Sequence, residues 1–121
     1  MNFEKIEENY YPQIYNRIRF HVPQFNSLWH ENPDLVYPIL FEFRQYLLEH
    51  IQEQSCWDFI NEALSQGGVN TENAIVMQVF WDLYDSHEAS HIALNYLDIH
   101  AKAVFEEFKI KYLNSVNEDK N

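Results

Sequence analysis

Glycine occurs only twice in the chain, as the adjacent pair Gly67-Gly68, and proline only four times, singly, at Pro12, Pro23, Pro33 and Pro38. An all-β sandwich needs turn-forming residues at intervals of about eight to twelve positions, and that punctuation is missing here. The stretches between the breakers are long enough for helices. Across 121 residues, 46 % hydrophobic and 17 % aromatic side chains supply a genuine core, and the length fits one domain. The expectation is therefore an all-α, compact single-domain bundle of about five to six helices over residues 1–121.

Helical spacing of Phe3, Ile6, Tyr10, Ile14 and Ile18 predicts one helix kinked at Pro12, or two short ones, with Asn2 as cap and an end near Phe20. Pro23 opens an irregular connection, "VPQFNSLWHEN", whose Phe25, Leu28 and Trp29 are expected to tuck beneath it. Asn32-Pro33 reads as a helix start, with the regular part beginning as late as Pro38. Val36, Leu40, Phe43, Leu47 and Ile51 then form an apolar stripe, while Glu42, Glu49 and Glu53 share another side. Tyr37, Phe41 and Leu48 lie off the stripe, as a second buried face or an exposed patch able to form a homodimer. Ser55 and Asp58 resemble a capping box for a helix ending at Gly67-Gly68, and Asn70 or Thr71 is expected to cap the next. That next helix carries Val76, Val79, Phe80, Leu83 and Tyr84 plus Met77 and Trp81, a face broad enough for the central position; a buried strand at "AIVMQVFW" is the competing reading. Ser86 and Asp98 are expected caps of the last two helices, with one continuous helix as the alternative, and residues 115–121 are a polar end expected to fray.

Charge narrows the possible partners. Nineteen acidic against eight basic side chains leave −11, which repels nucleic acid and anionic membranes. From Gln45 to Ala101 there is no Lys or Arg, while Glu49, Glu53, Asp58, Glu62, Glu72, Asp82, Asp85, Glu88 and Asp98 fall inside that span. No apolar run approaches about eighteen residues, and "MNFEKIEENYY" has neither the basic start nor the apolar stretch of a signal peptide, so a cytoplasmic location is expected. The single Cys56 excludes an internal disulfide, fits a reducing compartment and reads as a small residue near a helix start.

"HEASH" matches the H-E-x-x-H pattern of zinc hydrolases, in which two imidazoles one turn apart hold the metal and the glutamate takes a proton from bound water. His87, Glu88 and His91 have that spacing, yet Asp85-Ser86 reads as a helix cap, which places the pair in an exposed first turn. Asp98, seven residues beyond His91, lies about 10 Å along a continuous helix, too far to share one ion. His50, at the edge of the apolar stripe, reads as a satisfied core histidine. Neither a P-loop, a dinucleotide fingerprint nor a nucleophile constellation occurs, so no catalytic residue, metal ligand or cofactor is expected.

Around "FWDLYDSHE", Trp81 and Tyr84 stand beside Asp82, Asp85 and Glu88, the mixture of aromatic anchors and carboxylates that an interface to a Lys/Arg-rich surface requires. With Glu49, Glu53, Asp58 and Glu62 they make the candidate surface for a basic protein partner. The ordered string "NPDLVYPILFEFRQYLLEHI", "CWDFINEALSQGG", "NTENAIVMQVFWDL" and "YLDIHAKAVFEEFKIKYL" resembles small all-helical bacterial immunity proteins of contact-dependent inhibition and polymorphic toxin systems. The resemblance covers roughly Pro33 to Leu113 and rests on helix order and aromatic pattern, so it carries over no site residues. It implies a cytoplasmic protein that neutralises a cognate toxin domain by stoichiometric binding, without turnover. Two other functions fit the residues: a metal-dependent hydrolase built on "HEASH", and a structural or regulatory homo-oligomer built on Tyr37, Phe41 and Leu48.

Overall fold

The computed structural model describes residues 9–119, apart from the side chains of 117–119, and shows a compact all-α bundle. The expected cap at Asn2 and the contributions of Phe3 and Ile6 lie outside the described residues. A 3-10 turn, Tyr11–Gln13, leads into α1, Ile14–His21. Pro12 sits in that turn, where a missing N–H costs nothing, so it offsets the helix instead of breaking it. The other five helices are α2 (Val36–Glu49), α3 (Gln54–Gln66), α4, α5 (His87–Tyr96) and α6 (Ile99–Asp119). α4 is built of three contiguous segments, Gly68–Ile75, a π-helical turn Val76–Phe80, and Trp81–Leu83. Helix, with no strand among the described residues, thus settles the "AIVMQVFW" alternative.

The apolar stripe of α2 holds for four of its five residues: Val36, Leu40, Phe43 and Leu47 are buried, while Ile51 lies in the turn beyond the helix end and is half-buried. α2 packs on the π-helical turn of α4, while α3 packs on α1, α4 and α6. Aromatic rings join these layers edge to face, Phe43 on Phe59 at 5.2 Å and Phe80 on Phe105 at 4.9 Å. Trp57 is fully buried and donates its indole N–H to the Ile51 carbonyl at 2.7 Å. Each such side chain contributes roughly 1.5–3 kcal/mol of burial, alongside the buried Ile, Leu and Val side chains packed around them.

Helix starts expected from polar residues are correct where the cap is local. Ser86 accepts the Ala89 amide at 3.1 Å, and Asp98 accepts that of Ala101 at 2.9 Å, so α5 and α6 are separate helices. Three other starts differ. α2 begins at Val36 and not at Asn32-Pro33, whose residues form turns; Pro38 is then the third helical residue, where its N–H would have had no intrahelical partner. α3 begins at Gln54, and Ser55 bonds Glu53 instead of capping. α4 begins at Gly68, not at Asn70 or Thr71, because the glycine pair reverses the chain within one step. Gly68 takes φ 78°, and a Cβ on Gly67 would collide with Thr71 and the Ala63 carbonyl. Thr71 is buried against that turn. At the far end, residues 115–119 continue α6, and 120–121 lie outside the described residues.

Among the described residues no helix is long and apolar enough to cross a membrane. His50 is exposed, not in the core: its Nδ1 lies 2.9 Å from the Tyr46 carbonyl and its ring stacks on Tyr46 at 4.0 Å.

Candidate functional site

The connection between α1 and α2 is irregular yet firmly tied. Phe25 is buried, as its sequence suggests, and stacks edge-on against Tyr15, Phe43 and Tyr46. Ser27 is buried beside it; its amide donates to the Tyr15 hydroxyl at 3.2 Å and its hydroxyl to the Glu42 carboxylate of α2. The second Glu42 oxygen accepts the Leu28 amide at 3.0 Å, and the Ser27 hydroxyl accepts the Trp29 amide at 2.9 Å. One carboxylate therefore fixes the backbone from Ser27 to Trp29 against α2.

What this fixation displays is apolar. Leu28 is 87 % exposed and Trp29 41 %, against the expectation that both tuck under the connection. They are excluded from the core because Phe25 already fills the space there and Glu42 holds the following residues outward. With Tyr37, Pro38 and Phe41 of α2 and Gln78 of the π-helical turn, they line a shallow groove of about 620 Å³. Tyr37, Phe41 and Leu48 form an exposed patch and not a second buried face. The patch is divided, however. Arg44 lies between Phe41 and Leu48, with its guanidinium over the Phe41 ring at 4.3 Å and 2.7 Å from Asp82. Leu48 lines a separate, smaller hollow with Ile51, Glu88 and Ile92.

A third hollow of about 390 Å³ adjoins the groove and shares Glu42 and Gln45 with it. Its other walls are Gln24, Phe25, Asn26, Tyr46 and Glu49. Glu53 borders it through the Gln24 side-chain amide, which donates to its carboxylate at 2.8 Å. The sequence placed Glu42, Glu49 and Glu53 on one side of the chain, and here Glu42 and Glu49 line one depression while Glu53 bonds its wall residue Gln24. Among the described residues the donors to Glu42 and Glu53 are uncharged amides and hydroxyls, so no described cation neutralises these carboxylates.

The residues expected to bind a partner are dispersed. Glu62 is inside, between α1 and α3. It accepts Arg17 through two bonds of 2.7 Å, His21 Nε2 at 2.7 Å and the Tyr10 hydroxyl at 3.0 Å. Burial tends to raise the Glu62 pKa, but the bonds from Arg17, His21 and Tyr10 outweigh it and hold the carboxyl at about 2. Burial, and then the Glu62 charge, push the Tyr10 hydroxyl well above its ordinary value, so it stays a donor. Tyr84 is also internal: it is buried, and its hydroxyl donates to the Phe105 carbonyl at 2.7 Å. Both are corrections to the expected surface, with internal partners as the reason. Trp81 is half-buried edge-on against Tyr112 at 5.0 Å. Asp82 is committed to Arg44, Asp58 accepts from Gln54 at 2.9 Å, and Asp85 and Glu88 are exposed near the start of α5. Of the expected residues, only Glu49 and Glu53 belong to the surface around the groove.

His87 is the first residue of α5 and is exposed, like Glu88 and His91, while Ala89 and Ser90 are buried. The five-residue match is accounted for by a capped amphipathic first turn. Among the described residues no third His, Cys, Asp or Glu joins the histidines in a cluster that could hold a metal ion. Cys56 is buried, and burial followed by the Glu53 charge pushes its thiol up to about 12, which keeps it protonated.

Leu28, Trp29 and Gln78 are the site residues that the sequence reading missed. The available signal was weak: two large apolar side chains in a segment without helical repeat. Nothing local reveals that Glu42 pins them outward. None of the family profiles, curated proteins or solved structures compared with the chain matches it.

Proposed function

We propose that this chain is a non-catalytic binding protein for a cationic protein partner, and that it serves as a cytoplasmic immunity protein that neutralises a cognate toxin domain by stoichiometric binding. The observation carrying the proposal is the exposed Leu28-Trp29 pair, fixed by Glu42 beside Tyr37 and Phe41. Large apolar side chains held rigidly at a surface lose little conformational entropy on binding, and aromatic anchors of this kind dominate interface energies. Charge selects the partner: between Phe20 and Ala101 the sole Lys or Arg is Arg44, and Asp82 already pairs with it. A basic surface is attracted to such a face and associates fast. The immunity role comes from the resemblance in helix order and aromatic pattern.

The test is calorimetric titration of the purified chain with the product of the adjacent upstream gene, together with co-expression in a host that this product kills. A one-to-one complex and restored growth are expected. If titration gives no heat and growth is not restored, the proposal fails.

A further inference from the structure

The groove and the adjoining hollow are two compartments on one helix, and they differ in chemistry. Tyr37, Pro38 and Phe41 serve the apolar compartment, Tyr46 and Glu49 the acidic one, and Glu42 and Gln45 stand between. From Tyr37 to Glu49 the helix rises about 18 Å, so the pair spans a few residues of an incoming segment.

Resting on the binding role proposed above, we infer that this surface takes a segment of the partner with one large apolar side chain and one neighbouring Lys or Arg. The apolar side chain enters between Trp29 and Phe41, and the cation enters the hollow bounded by Glu42 and Glu49. Three observations support this occupant. Leu28, Trp29, Tyr37 and Phe41 are exposed large side chains gathered along one groove, where a single incoming side chain meets several of them at once. The neighbouring carboxylates Glu42 and Glu53 receive uncharged donors only, so their charge is available to a cation. Arg44, the sole Lys or Arg between Phe20 and Ala101, is paired with Asp82 and lies over the Phe41 ring.

A second copy of the chain is the competing occupant, and charge decides against it. A twofold interface brings the same patch against itself, so the acidic hollow would be buried against a surface whose Arg44 is already paired with Asp82. Each copy would also bring a net charge of −11 to the contact.

The inference is tested by selecting displayed random dodecapeptides on the full-length chain, then titrating the enriched peptides and the upstream-gene product into wild type and variants. Enriched sequences should combine a large apolar residue with a Lys or Arg at constant spacing. Phe41→Glu and Trp29→Ala should weaken the peptides about thirtyfold or more, the loss typical of a hot-spot residue. Glu49→Lys should weaken them about tenfold and flatten the salt dependence. Unchanged far-UV circular dichroism and melting would show that the variants fold.

Enrichment without basic residues, no enrichment above an unrelated control, or titrations indifferent to all three variants would overturn the inference. So would a wild-type dimer in sedimentation that Phe41→Glu dissociates, since the occupant would then be a second copy. The two proposals separate cleanly. A tight one-to-one complex unaffected by Phe41→Glu and Glu49→Lys leaves the binding role standing without this groove. Enriched basic peptides without any complex leave the groove chemistry standing without the immunity role.

Discussion

Replacing Glu62 with glutamine keeps the shape of the side chain and removes the charge that holds α1 on α3. Its carboxylate is only 13 % exposed and receives Arg17, His21 and Tyr10 together. Because a carboxylate can only accept, the His21 Nε2 must carry a proton to make its 2.7 Å contact. Lowering the carboxyl from its ordinary value to about 2 corresponds to about 3 kcal/mol at full weight. Arg17 is 33 % exposed, so solvent screens much of that, and about 1–2 kcal/mol is the expected contribution at neutral pH. The sign follows from the direction of the shift. A depressed carboxyl stabilises the fold above its unfolded value, near 4.5, and this is lost as pH falls toward about 2. Urea unfolding at pH 7 should therefore place Glu62→Gln about 1–2 kcal/mol below wild type, and more than half of that gap should be gone by about pH 3. A gap of equal size at both pH values, or none at pH 7, would refute an electrostatic clamp between the helices.

The other contacts give further expectations. Glu42→Ala should free the Leu28 and Trp29 amides to exchange at least about tenfold faster and cost about 1–2 kcal/mol through the buried Ser27 hydroxyl; unchanged exchange would show that the loop is held by something else. Leu28→Ala should leave the melting temperature almost unchanged, given its 87 % exposure, while weakening partner binding in calorimetry; a large drop in melting temperature would place Leu28 in the core. Gly67→Ala should cost about 2–3 kcal/mol in thermal unfolding and Gly68→Ala about 1 kcal/mol, since a Cβ on the first collides with the Ala63 backbone and the second is strained by its φ of 78°; the reverse order would count against the packing explanation. Cys56, with its thiol pushed up to about 12 and fully buried, should react with an aromatic disulfide at pH 8 only as fast as the protein unfolds. Labelling at the rate of a free thiol would contradict this.

The inner periodicity and two of the five local cap signals were legible in the sequence, while the other three starts and the contacts needing a distant partner were not. The inner stripe of α2 and the caps at Ser86 and Asp98 follow from spacing alone, because the interacting groups are at most four residues apart. The patch of Tyr37, Phe41 and Leu48 was visible as a set, but its exposure depends on what the rest of the chain covers. The sharpest contrast lies between two glutamates that nothing local distinguishes. Glu62 meets Arg17, 45 residues away, His21 and Tyr10, and becomes part of the interior. Glu42 meets Ser27 and Leu28, whose donors are uncharged, so it orders the loop and keeps its charge. A tally of acidic residues therefore overstates the charge a partner meets, since Glu62 and Asp82 are neutralised within the fold by Arg17 and Arg44. Among the described residues, carboxylates that accept only neutral donors, such as Glu42 and Glu53, are not offset in this way. On the outer side of α2 Glu42 and the hollow it lines adjoin the groove between Trp29 and Phe41, which is why the proposed binding face rests on charge and apolar surface together, rather than on charge alone.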